Sequence, residues 1–330
     1  MKAWLQLFRV PNLLTVPGDP LAGFLIASSG QLDTRVVFAM LASLCLYAAG
    51  LAINDLADFT EDKQDRPKRP LPSGAISRPA AWIITGNLVI FGLGFSFAAG
   101  PNAALMGIGV ILGVTLYNFL TKRIAIIGAL NMGVCRGLSL LLGAAAAIAP
   151  DQRFLDTGTG LLDFNPLLSA VFTTTAFVSG QRSFNFTVAV GAALLITLYI
   201  AAVTNLARHE TRPEYPKIAR VLPLGALLIG FVLLKYVTGS LLFDQSPALW
   251  VVGIVLCAFN TSELMRIPPP PLPPRIGSYI RILPVLQASL CLLPSIPTGL
   301  HKTPASFLAA IALLACVPLH AWLGKKFYAS

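Results

Sequence analysis

Long apolar runs and short polar segments alternate along the chain. An α-helix needs about 20 mostly apolar residues to cross the hydrocarbon core of a bilayer, so each run predicts a membrane-spanning helix. Glycine and proline separate the runs, for example at Gly30, Gly100 and the proline-rich stretch 268–274. The predicted helices lie near 11–29, 36–56, 80–99, 102–120, 124–148, 186–206, 218–238, 247–265, 279–298 and 304–323.

Segment 150–185 departs from this pattern. It carries charged residues on both sides of an apolar run at 167–179, and that run is too short for an ordinary span. We therefore expect an outer loop with an interfacial or re-entrant helix. For the chain as a whole, 1–330, we expect a single all-α, multi-pass transmembrane helical bundle of about nine to ten helices.

The composition agrees with a membrane protein and excludes a soluble enzyme. Of the 330 residues, 55% are hydrophobic and only 12% are charged, which is about half the charged share of soluble chains. The net charge of +10 could suggest nucleic-acid binding. However, most Lys and Arg residues fall in alternate connecting segments, as the positive-inside rule requires when both termini are cytoplasmic. The charge therefore reflects topology, with no nucleic-acid partner, and predicts a protein of the plasma (inner) membrane.

An acidic cluster follows the second predicted helix, where five of the 14 acidic residues fall within 55–65. Asn54, Asp58 and Asp62 are spaced by four residues and share one face if the helix continues. Carboxylates on one face repel each other, and a bound cation relieves that repulsion. Oxygen-only ligands suit Mg²⁺, which commonly bridges carboxylates and substrate phosphates. A solvated loop of mixed charges is the alternative, but topology alone does not select acidic residues at a cytoplasmic boundary.

Residues 54–74 resemble the first signature of the UbiA superfamily of intramembrane prenyltransferases, NDxxDxxxD followed by RPxRPLxxG. A second family element, YxxxKR, has a counterpart at residues 117–123, with one extra residue before the lysine. The resemblance implies helices around a central cavity, in which Mg²⁺ and an isoprenyl diphosphate bind at the cytoplasmic end. Loss of the diphosphate leaves an allylic cation, which an aromatic or lipophilic acceptor attacks. A metal ion and cationic side chains supply the charge neutralisation that this step needs.

The resemblance also implies roles for individual residues. Asp55, Asp58 and Asp62 would be catalytic, and together with Asn54 they would hold Mg²⁺ and position the diphosphate. The candidate substrate-binding residues are Asn54, Arg66, Lys68, Arg69, Tyr117, Lys122, Arg123, Asn131, Arg136 and Arg208.

The chain departs from the family where a second aspartate-rich motif should follow the sixth helix. Residues 199–217 contain no aspartate, and Arg208 stands where a second metal would be expected. Glu210 and Glu214 have the right spacing, but Pro213 between them disfavours a regular helical display. Three interpretations stay open: one Mg²⁺ with arginine in place of the second, Glu210 as a metal ligand, or a protein that no longer ionises a diphosphate.

Two functions correspond to these interpretations. The first is Mg²⁺-dependent transfer of an isoprenyl group from its diphosphate to an aromatic or lipophilic acceptor. The second is a non-catalytic UbiA-like protein that binds or helps to export a hydrophobic metabolite precursor. The second is suggested by Thr204, Arg208 and Glu210 in place of aspartates, a pattern that resembles the EboC group associated with secondary-metabolite gene clusters.

Arg136 lies in the middle of the fifth predicted helix. An arginine within the membrane is costly and usually faces a cavity or an acidic partner. One interpretation is a structural ion pair with Asp19, which also lies within an apolar run. The other is a contact with an acidic acceptor or with the diphosphate, and the sequence favours neither.

Overall fold

A computed structural model describes residues 2–148, 180–210, 215–238, 247–293 and 303–327. Over these residues the chain forms helices and turns, with no strand. The helices are α1 (Lys2–Leu7), α2 (Val10–Leu13), α3 (Gly18–Ala27), α4 (Arg35–Ala57), α5 (Phe59–Asp65), α6 (Arg78–Ala99), α7 (Pro101–Phe119), α8 (Ala125–Ala147), α9 (Gly180–Ala207), α10 (Lys217–Thr238), α11 (Pro247–Leu264), α12 (Leu272–Ile280), α13 (Leu283–Cys291) and α14 (Pro304–Phe327). A short 3₁₀ turn, Thr121–Arg123, joins α7 to α8.

Eight of the described helices, α4, α6 to α11 and α14, are long and apolar enough to span a membrane. They coincide with eight of the ten predicted helices, because an uninterrupted apolar run of this length forms a spanning helix. The all-α, multi-pass architecture is thereby confirmed. The predicted outer loop at 150–185 lies outside the described residues up to position 179. Residues 180–185 are helical instead and begin α9.

The predicted helices at 11–29 and 279–298 are not continuous spans, which corrects the sequence interpretation. The first is divided into α2 and α3, and Pro17 precedes the start of α3. The second is divided into α12 and α13, and Pro284 lies in the first turn of α13. Residues 294–298 lie outside the described residues. Proline lacks the backbone N–H that would bond to the carbonyl four residues earlier, so each apolar run contains its own break.

The two broken helices lie inside the bundle. α3 packs along α8 and against α13, while α14 packs over α13 and contacts α2 and α3. Every residue of α13 is buried, and Phe24 and Leu25 of α3 have no exposed surface. The α3–α8 crossing requires glycine, because a Cβ at Gly143 would collide with the carbonyl group of Pro20.

One end of the bundle gathers the segments that carry the candidate chemistry. Lys122, after α7, contacts Asp58 at the end of α4. Arg208, after α9, contacts the backbone of Lys122. The last turns of α4, α7 and α9 and the first turn of α8 therefore surround a common region.

Candidate active site

The acidic residues predicted as metal ligands lie at the junction of α4 and α5. Asp58 is the residue between the two helices. The Asp62 amide donates to the Asp58 carbonyl over 2.8 Å, and the Asp58 amide donates to the Asn54 carbonyl over 3.0 Å. The chain therefore continues from α4 into α5 in nearly helical form, as the spacing of the acidic residues predicts.

Lys122 faces the first part of this acidic cluster. It lies in the 3₁₀ turn between α7 and α8. Its Nζ donates to Asn54 Oδ1 over 3.3 Å and forms an ion pair with Asp58 Oδ2. The structure thus brings together three residues that the sequence assigned to one site, although 64 positions separate Lys122 from Asp58.

Two arginines neutralise the other carboxylates. Arg69 Nη1 lies 2.6 Å from Asp62 Oδ2 and 3.8 Å from Asp55 Oδ1. Arg9 Nη2 donates to Asp55 Oδ1 over 3.1 Å. The side chains of Asp55 and Asp62 are only 8% and 7% exposed, and a buried carboxylate without a cationic partner is strongly destabilising. The paired arginines therefore compensate these carboxylates inside the bundle.

Arg9 is the site residue that sequence analysis missed. It lies between α1 and α2 with φ of 45°, a left-handed conformation that is uncommon for residues other than glycine. A basic residue beside the first apolar run has the pattern of an ordinary topology signal. Its partner Asp55 is 46 positions away, so no local spacing connects them.

The ends of α7 and α9 form the wall opposite the acidic cluster. Tyr117 is half-buried in the last turn of α7. Arg208 donates from Nη1 to the carbonyl oxygen of Lys122 over 2.9 Å. This wall therefore carries cations and a phenol, and Lys122 is the member that contacts a carboxylate of the cluster.

Several other candidate residues lie away from the carboxylates. Asn131 donates to the carbonyl of Gly113 over 3.1 Å and to Thr121 Oγ1 over 3.0 Å, so it braces the turn between α7 and α8. Arg136 is paired with Asp19 deeper in the bundle. Three basic candidates form no ion pair with any carboxylate in the described part of the chain: Arg66, Lys68 and Arg123.

The end of α9 supplies one described carboxylate, that of Glu210. This side chain is exposed, and no group of acidic, histidine or cysteine residues suited to a metal includes it among the described residues. Glu214, the predicted partner of Glu210, lies outside the described residues, as do Arg212 and Pro213. The geometry of α9 therefore gives Glu210 no described partner as a metal ligand.

The oxygen donors at the α4–α5 junction fit one hard cation. Asn54 Oδ1 and Asp58 Oδ2 both converge on the ammonium group of Lys122, and converging oxygens that attract an ammonium group are also the ligand type of Mg²⁺. Within 2–148, 180–210, 215–238, 247–293 and 303–327, no three acidic, histidine or cysteine side chains surround one point. A metal on Asp58 would therefore require Lys122 to turn away from that carboxylate.

Comparison with known proteins places these features in a family context. The model of the UbiA prenyltransferase family matches residues 20–261. Digeranylgeranylglyceryl phosphate synthase from Saccharolobus solfataricus is 29% identical over 147 residues, which are 44% of this chain and 52% of that protein. The synthase of the same name from Methanococcus aeolicus is 34% identical over 151 residues, with 44% and 53% covered. The chain thus spans about half the length of the curated relatives it matches.

Solved structures share the fold. A UbiA homologue from Aeropyrum pernix K1 in its apo form superposes with a TM-score of 0.60 at 16% identity, over 84% of this chain and 96% of that chain. A UbiA homologue from Archaeoglobus fulgidus bound to GPP and Mg²⁺ superposes with a TM-score of 0.54 at 15% identity, over 89% and 100% of the two chains. At these identities the likeness concerns the fold.

Proposed function

Because the chain belongs to the UbiA prenyltransferase family, we propose that it moves an isoprenyl group from its diphosphate to an aromatic or lipophilic acceptor, with Mg²⁺ as cofactor. The observation that carries this proposal is the convergence of carboxylates and cations at one end of a multi-pass membrane bundle. Asp58 faces Lys122, and Asp62 faces Arg69. Such alternating charge suits a complex of a metal ion with a diphosphate, which needs both oxygen ligands and hydrogen-bond donors.

The residues that would hold Mg²⁺ are Asn54 and Asp58, with Asp55 and Asp62 beside them. Bound Mg²⁺ would supply charge neutralisation for the diphosphate when the carbon–oxygen bond of the donor breaks. Glu210 would be a metal ligand only if a second ion bound at the end of α9. The acidic residues would thus act on the leaving diphosphate, and the acceptor would form its bond to the isoprenyl carbon.

The basic residues would change partners when the substrate arrives. Lys122 and Arg69 pair with carboxylates in the structure. Phosphate oxygens are equally good acceptors for an ammonium group or a guanidinium fork, so the same side chains can donate to the diphosphate. Arg66, Lys68 and Arg123 are exposed or half-buried at the same end and would add to this attraction.

The isoprenyl tail would lie along α4, deeper in the bundle. Tyr47, Leu51, Asn54 and Asp58 recur at intervals of three or four residues, so they lie on one stripe of this helix. A donor whose diphosphate is held at Asp58 can therefore lay its apolar chain against Leu51 and Tyr47. Apolar side chains along this path would exclude water, which would otherwise trap the allylic cation.

The site is proposed to face the cytoplasm in the plasma (inner) membrane, with 1–330 acting as one domain. The positive-inside rule supports this orientation. The connecting segments on the side of the acidic cluster carry most of the lysines and arginines of the chain. A single domain is supported because the site combines residues that are far apart in the sequence, from Arg9 to Arg208.

The test is pyrophosphate release and product formation by the purified full chain in detergent. Geranyl, farnesyl and geranylgeranyl diphosphates are supplied with Mg²⁺, together with aromatic acceptors and prenylated glyceryl phosphates. Wild type is expected to release pyrophosphate, and Asp58→Asn to lose that release. The matched control is Asp65→Asn, an exposed carboxylate of the same helical segment, which should keep it. Mg²⁺-dependent diphosphate binding without release would instead favour the non-catalytic role.

A further inference from the structure

Arg208 is a site cation that is held by carbonyl oxygens. It follows the last residue of α9, and α9 packs along α8. Its Nη1 donates to the carbonyl oxygen of Lys122 over 2.9 Å and reaches that of Ala125 at 3.5 Å. Both carbonyls belong to the turn that leads from α7 into α8, so the guanidinium is anchored to the same turn that presents Lys122 to the acidic cluster.

The charge of Arg208 is not neutralised by a carboxylate among the described residues. Arg9, Arg69 and Lys122 each pair with an aspartate of the cluster, whereas no described ion pair includes Arg208. A carbonyl oxygen accepts a hydrogen bond without cancelling a formal charge. The guanidinium has five N–H donors, so those not used on the two carbonyls remain for an anion. Because the side chain is exposed, an anion can reach it.

Arg208 lies beside the lysine that contacts the acidic cluster. Its guanidinium bonds to the carbonyl oxygen of Lys122, and the ammonium group of that same lysine pairs with Asp58, so one residue joins the arginine to the acidic cluster. The carboxylates of the site come from α4 and α5. The end of α9, in contrast, carries Thr204, and the exposed Arg208 and Glu210 follow it. We call this segment, 204–210, the α9 wall. A divalent ion at this wall would be repelled by Arg208 and by Lys122.

We propose that Arg208 is a fixed cation that binds the leaving diphosphate from the α9 wall, so that the site uses a single divalent ion, on α4 and α5. This inference rests on the proposed function. The carbon–oxygen bond of the donor breaks and its electron pair stays on the diphosphate oxygen. Arg208 donates hydrogen bonds to the diphosphate and keeps its protons. The acceptor atom then bonds to the isoprenyl carbon and releases its proton to water.

The first test counts metal ions. The purified full chain is titrated with Mn²⁺ in the presence of pyrophosphate, and bound Mn²⁺ is measured by electron paramagnetic resonance. One Mn²⁺ per chain is expected for wild type. Arg208→Asp combined with Thr204→Asp places two carboxylates four residues apart and should raise the count to two. Two ions on wild type would overturn the inference.

The second test measures the affinity for pyrophosphate with Mg²⁺ present. Arg208→Gln should weaken binding about tenfold or more, and Arg208→Lys should restore part of the loss, because a lysine keeps the charge but not the planar fork. The matched control is Lys63→Gln, which removes an exposed positive charge from α5 and should leave the affinity unchanged. Thermal unfolding of each variant shows that the comparison is made on folded protein.

The outcomes separate this inference from the proposed function. If Arg208→Gln binds pyrophosphate as tightly as wild type while Asp58→Asn loses binding, the arginine is not the second cation and the acidic site stands. If wild type binds neither Mn²⁺ nor pyrophosphate, both proposals fail.

Discussion

Arg136 Nε lies 2.7 Å from Asp19 Oδ2, and this buried ion pair joins the middle of α8 to the first turn of α3. The contact is electrostatic, since the N–H does not point at the oxygen with hydrogen-bond geometry. Gln287 on α13 donates to Asp19 Oδ1 over 2.6 Å and to the carbonyl of Thr15 over 2.7 Å. Arg136 also donates to the Thr15 carbonyl, over 3.0 Å. Thr15 lies in the break between α2 and α3. Arg136 and Gln287 therefore supply hydrogen bonds to a backbone carbonyl at the point where the helix is interrupted.

Removing one partner of this pair should destabilise the protein far more than removing both. Arg136→Met leaves the Asp19 carboxylate, which has no exposed surface, without its cation, and we expect a loss of about 3–5 kcal/mol. Arg136→Met combined with Asp19→Leu removes both charges and should recover most of that stability. Thermal unfolding in detergent measures the difference. Equal losses in the single and double variants would mean that the pair contributes more than charge compensation.

The sequence left two interpretations open for Arg136. In the structure this arginine forms the ion pair with Asp19. Asp19 could be named in advance because it is another carboxylate within an apolar run, and a membrane-embedded arginine needs such a partner. The contributions of Thr15 and Gln287 could not be predicted. They depend on the breaks in two helices that occur within apolar runs, where hydropathy alone gives no boundary.

The acidic cluster shows the same division between local and distant information. Asn54, Asp58 and Asp62 were predictable because their spacing is local and repeats the turn of a helix. The pairing of Asp55 with Arg9 was not, since it depends on how α1 and α2 pack beside α4. Local spacing thus predicts which residues share a helix face, whereas a contact between distant segments was predictable only where a family motif marks both of them, as for Lys122 and Asp58.

Arg9 should contribute to donor binding although no motif marks it. Arg9→Gln removes a charge-assisted hydrogen bond to Asp55, which among the described residues keeps the more distant Arg69 as its cation. We expect kcat/KM for the isoprenyl diphosphate to fall about tenfold or more. Lys2→Gln is the matched control, since it removes an exposed positive charge from the same end of the chain. An equal fall in both variants would point to general electrostatic attraction rather than to a contact of Arg9.

The close crossing of α3 and α8 should make Gly143 intolerant of any side chain. Gly143→Ala places a methyl group against the carbonyl of Pro20, which belongs to backbone and cannot move aside, so we expect a loss of about 1–3 kcal/mol. Gly86→Ala on α6 is the control, because nothing lies within 4 Å of its added methyl group. That change should be neutral or stabilise by about 0.5–1 kcal/mol. Thermal unfolding of the two variants decides, and similar midpoints would show that the crossing can relax.

Glu263 and Asp58 should separate stability from binding. The Glu263 side chain is 9% exposed and lies 2.7 Å from Arg275, so it joins α11 to α12 away from the acidic cluster. Glu263→Gln should lower stability by about 1–3 kcal/mol, because it weakens a partly buried charged hydrogen bond. Its affinity for pyrophosphate with Mg²⁺ should equal that of wild type. Asp58→Asn should do the reverse, losing affinity with little loss of stability. The change removes the partly exposed ion pair with Lys122, but it also relieves the repulsion from the neighbouring carboxylates. Calorimetric binding and thermal unfolding on the same preparations test both halves. Loss of pyrophosphate binding in Glu263→Gln, at a temperature where it is folded, would show that α11 and α12 also belong to the site.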